Sequence, residues 1–151
     1  MTLYFAYGSN MCRAPMRARC PSAREVGVAM LAGHRFIVTR DGYASVVPAP
    51  GGVVHGLVWR LASRDVAALN AYERLDTGLY RMVTLPVRLG ARQVAAMVYV
   101  ARSRTPGLPR RRYFASVLAA ARELELPPDY VDALARWLPC GPRTARAGEV
   151  A

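Results

Sequence analysis

The sequence predicts a single α+β domain, and three observations lead to that prediction. The 151 residues and their 53% hydrophobic content suffice for one core. At least six segments have the apolar or alternating pattern of strands and follow one another mostly as hairpins. Short helical patterns interrupt these strands irregularly, whereas a parallel βαβ sheet would alternate strand and helix throughout.

The first half of the chain is predicted to hold five strands and one short helix. An apolar run stops at Gly8, and a short helix over residues 10–19 would end at Pro21. The Pro- and Gly-rich residues 48–52 predict a loop. The predicted strands cover residues 3–7, 23–31, 34–39, 44–47 and 53–60. The last of these is apolar almost throughout, which predicts a central place in the sheet.

The second half is predicted to hold a helix, a hairpin and two further helices. Ser63 is a favourable N-cap, Asp65 lies in the first turn, and Val66, Leu69 and Glu73 share one face at helical spacing. This helix would end at residues 76–78. The remaining predicted elements are strands over residues 79–89 and 93–100, a loop over 102–109, and helices over 111–124 and 129–138.

The end of the chain differs in composition from the rest. It is rich in Gly, Pro, Arg and Thr after Cys140. This predicts one domain over residues 1–138 and a mobile tail over residues 139–151. No internal repeat or second domain is indicated.

The formal charge of +11 raises nucleic-acid binding as a function class, but the pattern of the charges does not favour it. All 21 basic residues are Arg, which is typical of a composition shaped by codon bias. They are scattered, apart from the cluster Arg110-Arg111-Arg112, and no RNP-like or zinc-finger pattern accompanies them. An Arg-rich nucleic-acid binder is therefore the least favoured reading, while a positive surface could steer a small anionic substrate.

Few residues have the spacing of a metal site or a disulfide framework. Cys12, Cys20 and Cys140 contain no C-x-x-C pair, and His34 and His55 stand 21 positions apart. We expect neither a metal nor another cofactor. We also expect a cytoplasmic protein, since no apolar run approaches the ~20 residues of a membrane span and no signal peptide is indicated.

The opening of the chain carries the strongest functional signal. The strand over residues 3–7 breaks abruptly into Gly8-Ser9-Asn10. Gly tolerates dihedrals denied to other residues, and Ser and Asn favour turns and helix N-caps, so successive backbone N–H groups could converge there on an anionic group.

This opening resembles the signature of a known family. Tyr7-Gly8-Ser9-Asn10-Met11 is similar to the YGSN-type motif that opens the γ-glutamylcyclotransferase family, whose domains are also called AIG2-like. Further matches follow in the family's order and approximate spacing, and together they cover residues 3–137: Gly56-Leu57-Val58-Trp59, Leu69-Asn70-Ala71-Tyr72-Glu73, Gly78-Leu79-Tyr80 and Tyr113. The resemblance implies a small barrel-like mixed sheet flanked by short helices.

The resemblance also implies a reaction. The α-amine of a γ-glutamyl substrate attacks its own γ-carbonyl and releases 5-oxoproline and a free amine, without a cofactor. Glu73 would be the general acid and base. Its place on the apolar face of a predicted helix agrees with this role, because burial raises the pKa of a carboxyl. The alternative is a structural Glu73 that pairs with Arg74 or Arg81.

Other site residues follow from the same resemblance. Tyr7, Gly8, Ser9, Asn10 and Met11 would bind substrate oxygens, and Tyr113 would contact the substrate. The alternatives are a helix N-cap without a ligand and a packing or capping tyrosine. Tyr80 is expected to pack near the site. A nucleophilic Ser9 is disfavoured because the G-x-S-x-G frame is absent.

The substrate class has several readings. The favoured partner is a small γ-glutamyl amino acid or amine. A γ-glutamyl-lysine isopeptide, a γ-glutamyl-protected biosynthetic intermediate and a non-catalytic binding domain are the alternatives. The loop before Tyr113 carries Arg110 to Arg112, which could select the leaving group. The sequence leaves a homodimer open.

Overall fold

Five strands close into a barrel in the computed structural model of the protein, which describes residues 1–139. The strands are β1 (Thr2–Ala6), β2 (Arg24–Val38), β3 (Ala44–Leu61), β4 (Tyr80–Leu89) and β5 (Arg92–Ala101). The helices are α1 (Arg13–Arg19), α2 (Ser63–Tyr72), α3 (Arg111–Glu123) and α4 (Pro128–Ala135). Single 3-10 turns cover Ser9–Met11 and Leu75–Thr77.

The barrel is a mixed sheet with the strand order β1-β3-β2-β4-β5. Neighbouring strands are antiparallel, except that β1 and β5 close the barrel as a parallel pair at Tyr4 and Met97. The predicted α+β class with a barrel-like mixed sheet is confirmed. The apolar strand predicted over residues 53–60 lies inside β3, which pairs with β1 on one side and β2 on the other.

The helices cover the barrel through apolar faces. In α3, Phe114, Val117, Leu118 and Ala121 are buried, which is the i, i+3, i+4, i+7 spacing of one helix face. Phe36 of β2 contacts the ring of Phe114, with 6.1 Å between centroids. The core is therefore continuous from the barrel to α3.

The prediction of six or more strands is wrong because two pairs of predicted strands are continuous. The predicted strands 23–31 and 34–39 form β2, apart from their outer residues 23 and 39, and residues 44–47 and 53–60 fall in β3. The register passes from Ala32 opposite Val53 to His34 opposite Pro48, so residues 49–52 bulge out opposite Gly33. Both Gly33 (φ 75°) and Gly51 (φ 79°) adopt the left-handed conformation that this bulge requires. The Pro- and Gly-rich segment is a bulge within one strand and not a loop between two.

Two helix ends also differ from the prediction. The helix over residues 10–19 is a 3-10 turn followed by α1, which begins at Arg13. The N-cap of α2 is Ala62 rather than Ser63, because Asp65 Oδ2 accepts the Ala62 amide at 3.0 Å and so closes the first turn. The helix ends at Tyr72, and the 3-10 turn Leu75–Thr77 leads to Gly78, where φ is 78°.

The remaining predictions agree with the structure except at their ends. The hairpin of β4 and β5 turns at Gly90, and α3 and α4 follow the loop over residues 102–109. The predicted tail falls almost entirely on residues 140–151, which lie outside the described residues. Within residues 1–139, no helix has the length and apolar character needed to cross a membrane.

Candidate active site

A cleft of roughly 260 Å³ opens where β1 runs into the turn at Gly8. Its wall holds seven of the eight tyrosines in the sequence together with one carboxylate, Glu73. The lining residues are Tyr4, Tyr7, Gly8, Ser9, Asn10, Tyr43, Ala44, Tyr72, Glu73, Arg74, Leu79, Tyr80, Tyr99 and Tyr113. The cleft therefore presents aromatic faces and hydroxyl groups around a single acid.

Glu73 is the C-cap of α2, and its amide donates to the Leu69 carbonyl at 2.8 Å. This anchors its backbone beside the fully buried Leu69. Burial raises the pKa of the Glu73 carboxyl to about 7, against the lowering effect of the Arg19 charge. Within residues 1–139 Glu73 forms no ion pair shorter than 4.0 Å, so the alternative of a structural pair with Arg74 or Arg81 is not observed.

Asn10 connects Glu73 to two other side chains. Its carboxamide is buried, and Nδ2 donates to the Tyr4 hydroxyl at 2.9 Å and to Glu73 Oε2 at 3.4 Å. Its Oδ1 accepts a hydrogen bond from Arg19 Nη1. All polar atoms of this side chain thus have partners within the protein, which leaves its backbone N–H as the group of Asn10 free for a ligand.

The turn after β1 leaves several backbone donors uncommitted. Its internal bonds run from the Met11 amide to Gly8 O at 3.1 Å and from the Cys12 amide to Ser9 O at 3.0 Å. The amides of Gly8, Ser9 and Asn10 have no acceptor among residues 1–139. Trp59 Nε1 donates to Asn10 O at 3.0 Å and holds the turn against β3. The turn therefore presents donors at the cleft, as a site for substrate oxygens requires.

Gly8 leaves space for a neighbouring side chain. Its φ is −120° and its ψ is −132°, which is neither left-handed nor regular helical or extended backbone. A Cβ at this position would lie 3.1 Å from the Tyr113 hydroxyl and 3.4 Å from Ala44 Cβ. The absence of a side chain allows Tyr113 to approach the turn.

Two tyrosines form hydrogen bonds with the backbone of Ala44. The Ala44 amide donates to the Tyr113 hydroxyl at 3.0 Å, and the Tyr80 hydroxyl donates to the Ala44 carbonyl. Burial raises the pKa of both tyrosines, so both remain neutral near pH 7. Tyr80, which was expected to pack near the site, lines the cleft itself.

The structure brings together most of the predicted site residues. Tyr7, Gly8, Ser9, Asn10, Glu73 and Tyr113 all line the cleft. Met11 does not, because its side chain is buried in the core and its amide bonds within the turn. Tyr7 donates its hydroxyl to the Tyr99 carbonyl at 2.5 Å, so its ring forms part of the wall. Neither histidine lines the cleft, which leaves Ser9 without a base of that type.

Sequence reasoning missed several residues of the site. Tyr4, Tyr43, Tyr72, Arg74 and Tyr99 line the cleft, and Arg19 contacts it through Asn10. The aromatic run from Tyr4 to Tyr7 directly before the turn was a usable signal for Tyr4. No local pattern marks Tyr99 or Arg19, because barrel closure and the packing of α1 bring them to the site.

A second, open depression of roughly 490 Å³ adjoins the cleft and shares Leu79 with it. Its lining includes Arg40, Arg102 and Arg104, with Asp41 as its one acid. This depression therefore carries more positive than negative charge. Within residues 1–139, no group of three or more His, Cys, Asp or Glu side chains converges as a metal site would require, and Cys140 lies outside that range.

Comparisons with known proteins agree on one family. The family model described as "Gamma-glutamyl cyclotransferase, AIG2-like" matches residues 4–116. Proteins named gamma-glutamylcyclotransferase from Mus musculus and Homo sapiens are each 27% identical over 143 residues, covering 87% of this chain and 76% of theirs. A solved structure titled gamma-glutamyl cyclotransferase superposes with a TM-score of 0.84 at 24% identity, covering 99% of this chain and 93% of that one. YkqA from Bacillus subtilis superposes with a TM-score of 0.79 at 26% identity over 93% of this chain and 56% of its own.

Proposed function

The chain belongs to the gamma-glutamyl cyclotransferase, AIG2-like family of enzymes, and we propose that it converts a small γ-glutamyl amine into 5-oxoproline and a free amine. One feature of the cleft is the main support for this proposal. A half-buried carboxyl, Glu73, whose pKa is raised to about 7, faces a turn with three uncommitted backbone donors. An intramolecular acyl transfer that moves protons between two nitrogens uses both features.

Glu73 would act first as a base. The α-amine of the substrate is an ammonium near neutral pH and attacks only after it loses a proton. A carboxylate whose pKa lies near 7 can take this proton and release it again, which a carboxylate of ordinary pKa does less readily. The α-nitrogen then bonds to the γ-carbonyl carbon, and the proton held by Glu73 passes to the leaving nitrogen as its bond to that carbon breaks. The ring nitrogen gives up its second proton through the same carboxylate to the released amine, which departs as an ammonium.

The turn would stabilise charge and the tyrosines would position the substrate. Ring closure places negative charge on the γ-carbonyl oxygen, and the amides of Gly8, Ser9 and Asn10 are fixed donors that would donate hydrogen bonds to that oxygen. Tyr113 is proposed to contact the substrate beside the turn, where its ring packs edge-on against Tyr43 with 5.1 Å between centroids. Holding the substrate in its ring-closing conformer can supply several kcal/mol of the barrier reduction. Met11 is proposed to support the turn from the core.

The proposal covers several possible leaving amines. A free amino acid is the favoured product, while γ-glutamyl-lysine and a γ-glutamyl-protected intermediate are alternative donors for the same chemistry. The arginines beside Leu79 support a donor whose leaving portion is anionic.

A panel assay tests the proposed reaction. Purified protein is incubated with γ-glutamyl amino acids, γ-glutamyl-lysine and glutathione, and 5-oxoproline and the liberated amine are quantified by mass spectrometry. Glu73→Gln should lower turnover by about 100-fold or more, the scale of a lost general acid and base. Glu125→Gln is the matched control, because Glu125 is an exposed carboxylate between α3 and α4.

Each other result has a defined meaning. Near-normal turnover by a folded Glu73→Gln variant would remove Glu73 from the mechanism. Free glutamate in place of 5-oxoproline would indicate hydrolysis and return attention to Ser9. No product from any donor would favour a binding function on this fold.

A further inference from the structure

Arg19 links α1 to the end of α2, where the mechanism needs a fixed carboxyl. Its guanidinium carbon lies 3.6 Å from the centroid of the Tyr72 ring, and Tyr72 directly precedes Glu73. Its Nη1 donates to Asn10 Oδ1. Arg19 is half-buried and belongs to none of the ion pairs within residues 1–139. Its contacts are therefore directed at the cleft and not at surface acids.

These contacts determine which way the Asn10 carboxamide points. A guanidinium has only donors, so the Asn10 atom that faces Arg19 must be the oxygen. The amide nitrogen must then face the opposite way, where it reaches both the Tyr4 hydroxyl and Glu73 Oε2. If the carboxamide were rotated by half a turn, its oxygen would face the Glu73 carboxylate. The two facing oxygens would then both be hydrogen-bond acceptors, and no hydrogen bond could form between them.

We propose that Arg19 is a positioning residue for Glu73. It fixes the Asn10 carboxamide with its N–H groups toward Glu73 and Tyr4, and it supplies the positive charge that offsets the burial of the carboxylate. The catalytic consequence rests on the function proposed above, whereas the effect on Glu73 itself does not.

The other titratable groups around Glu73 do not replace this charge. They are tyrosines from β1 and its following turn, β4, β5 and α3, and burial raises the pKa of each, so all are neutral near pH 7: Tyr4, Tyr7, Tyr80, Tyr99 and Tyr113. Arg74, the next residue in the chain, lines the cleft but forms no ion pair with Glu73 within 4.0 Å. Without Arg19, burial would act on Glu73 unopposed and raise its pKa further.

Arg19→Met tests the proposal, because methionine keeps an unbranched side chain against Tyr72 while removing the charge and the donors. Two readouts are measured on the full chain. The first is the titration of the Glu73 carboxyl by ¹³C NMR, assigned through Glu73→Gln. The second is the pH profile of kcat/KM for 5-oxoproline release. Arg17→Met is the matched control, since Arg17 is an exposed residue of the same helix whose ion pair is with Glu25.

We expect the Glu73 pKa to rise in Arg19→Met and the acid limb of the profile to move with it. Near pH 6.5 kcat/KM should fall about tenfold, and most of the loss should disappear well above the new pKa, because the carboxylate then forms again. Arg19→Lys should recover part of the shift, since it restores the charge but not the planar contact with Tyr72. If Arg19→Met does not fold, Arg19→Lys is measured instead, and the Glu73 pKa should rise in it by a smaller amount.

A separate experiment tests whether Arg19 positions Glu73 through Asn10. The part of the kcat/KM loss that Arg19→Met still shows well above the new Glu73 pKa should disappear in an Asn10→Ala background, because the residue through which Arg19 positions the carboxyl is gone. Fully additive effects would overturn the role of Asn10. An unchanged Glu73 titration in a folded Arg19→Met variant would overturn the whole proposal. A shifted titration in a protein that releases no 5-oxoproline would support the positioning of Glu73 and reject the proposed function instead.

Discussion

The burial of Glu73 predicts that Glu73→Gln makes the protein more stable while making it inactive. The pKa of this carboxyl rises from 4.5 to about 7 on folding, so the folded chain holds a proton that the unfolded chain loses between those values. Stability should therefore fall as pH rises through this range. Because a tenfold difference in proton affinity is worth ~1.4 kcal/mol, the full loss is about 3 kcal/mol at and above pH 8.

Glutamine has the shape of a protonated glutamate and does not ionise, so the variant escapes this loss. The free energy of unfolding of both proteins is measured by urea denaturation at about pH 4.5 and about pH 8.5. The two proteins should be nearly equal at the lower pH, and the variant should be more stable by up to about 3 kcal/mol at the higher one. Glu125→Gln, which removes an exposed carboxylate, should show no such widening. A stability difference that stays constant with pH would refute the raised pKa of Glu73.

Three further predictions follow from the geometry of the cleft. In a pH profile of the natural enzyme, kcat/KM should rise with pH and level off above about 7, because that is the pKa of Glu73. Gly8→Ala should raise KM about tenfold, because its Cβ would lie 3.1 Å from the Tyr113 hydroxyl. Adding Tyr113→Phe to this variant should relieve the crowding. Tyr113→Phe alone should raise KM more than it lowers kcat. When γ-glutamyl-glutamate and γ-glutamyl-glutamine are compared directly, kcat/KM should be higher for the acidic donor. Arg102→Gln, or salt at about 0.5 M, should remove this preference.

The part of the site that sequence predicts well is local in the chain. The turn from Tyr7 to Asn10 follows a strand directly, so its residues reach the cleft together. Glu73 was placed on a buried helix face through its spacing from Leu69, and the structure keeps that relation through the hydrogen bond between the two backbones. The helix nevertheless ends at Tyr72, because Arg74 and Gly78 both take positive φ values and turn the chain toward β4.

The part that sequence predicts poorly depends on long-range closure. The bulge opposite Gly33 looks like a loop in the sequence because turn residues mark a kink in one strand as strongly as they mark a loop between two. Tyr99 reaches the cleft because β5 pairs with β1, a contact between residues far apart in the chain. Arg19 reaches it because α1 packs against the end of α2. Neither contact leaves a periodic signal near the residue concerned.

The site consequently depends on how firmly the end of α2 is joined to the turn after β1. The strands carry Tyr4 and Tyr99 on a closed sheet, but Glu73 lies on the connection between β3 and β4, outside that sheet. Four side-chain contacts cross this gap, from Ser9 Oγ to the Tyr72 hydroxyl at 3.3 Å, from Asn10 to Glu73 at 3.4 Å, from Arg19 to the Tyr72 ring, and from the Tyr99 hydroxyl to Asn70 Oδ1 at 2.7 Å. Three of the four start from residues 9–19. Because the barrel does not require these contacts in order to close, substitutions at them should change the titration and the reactivity of Glu73 well before they change the fold.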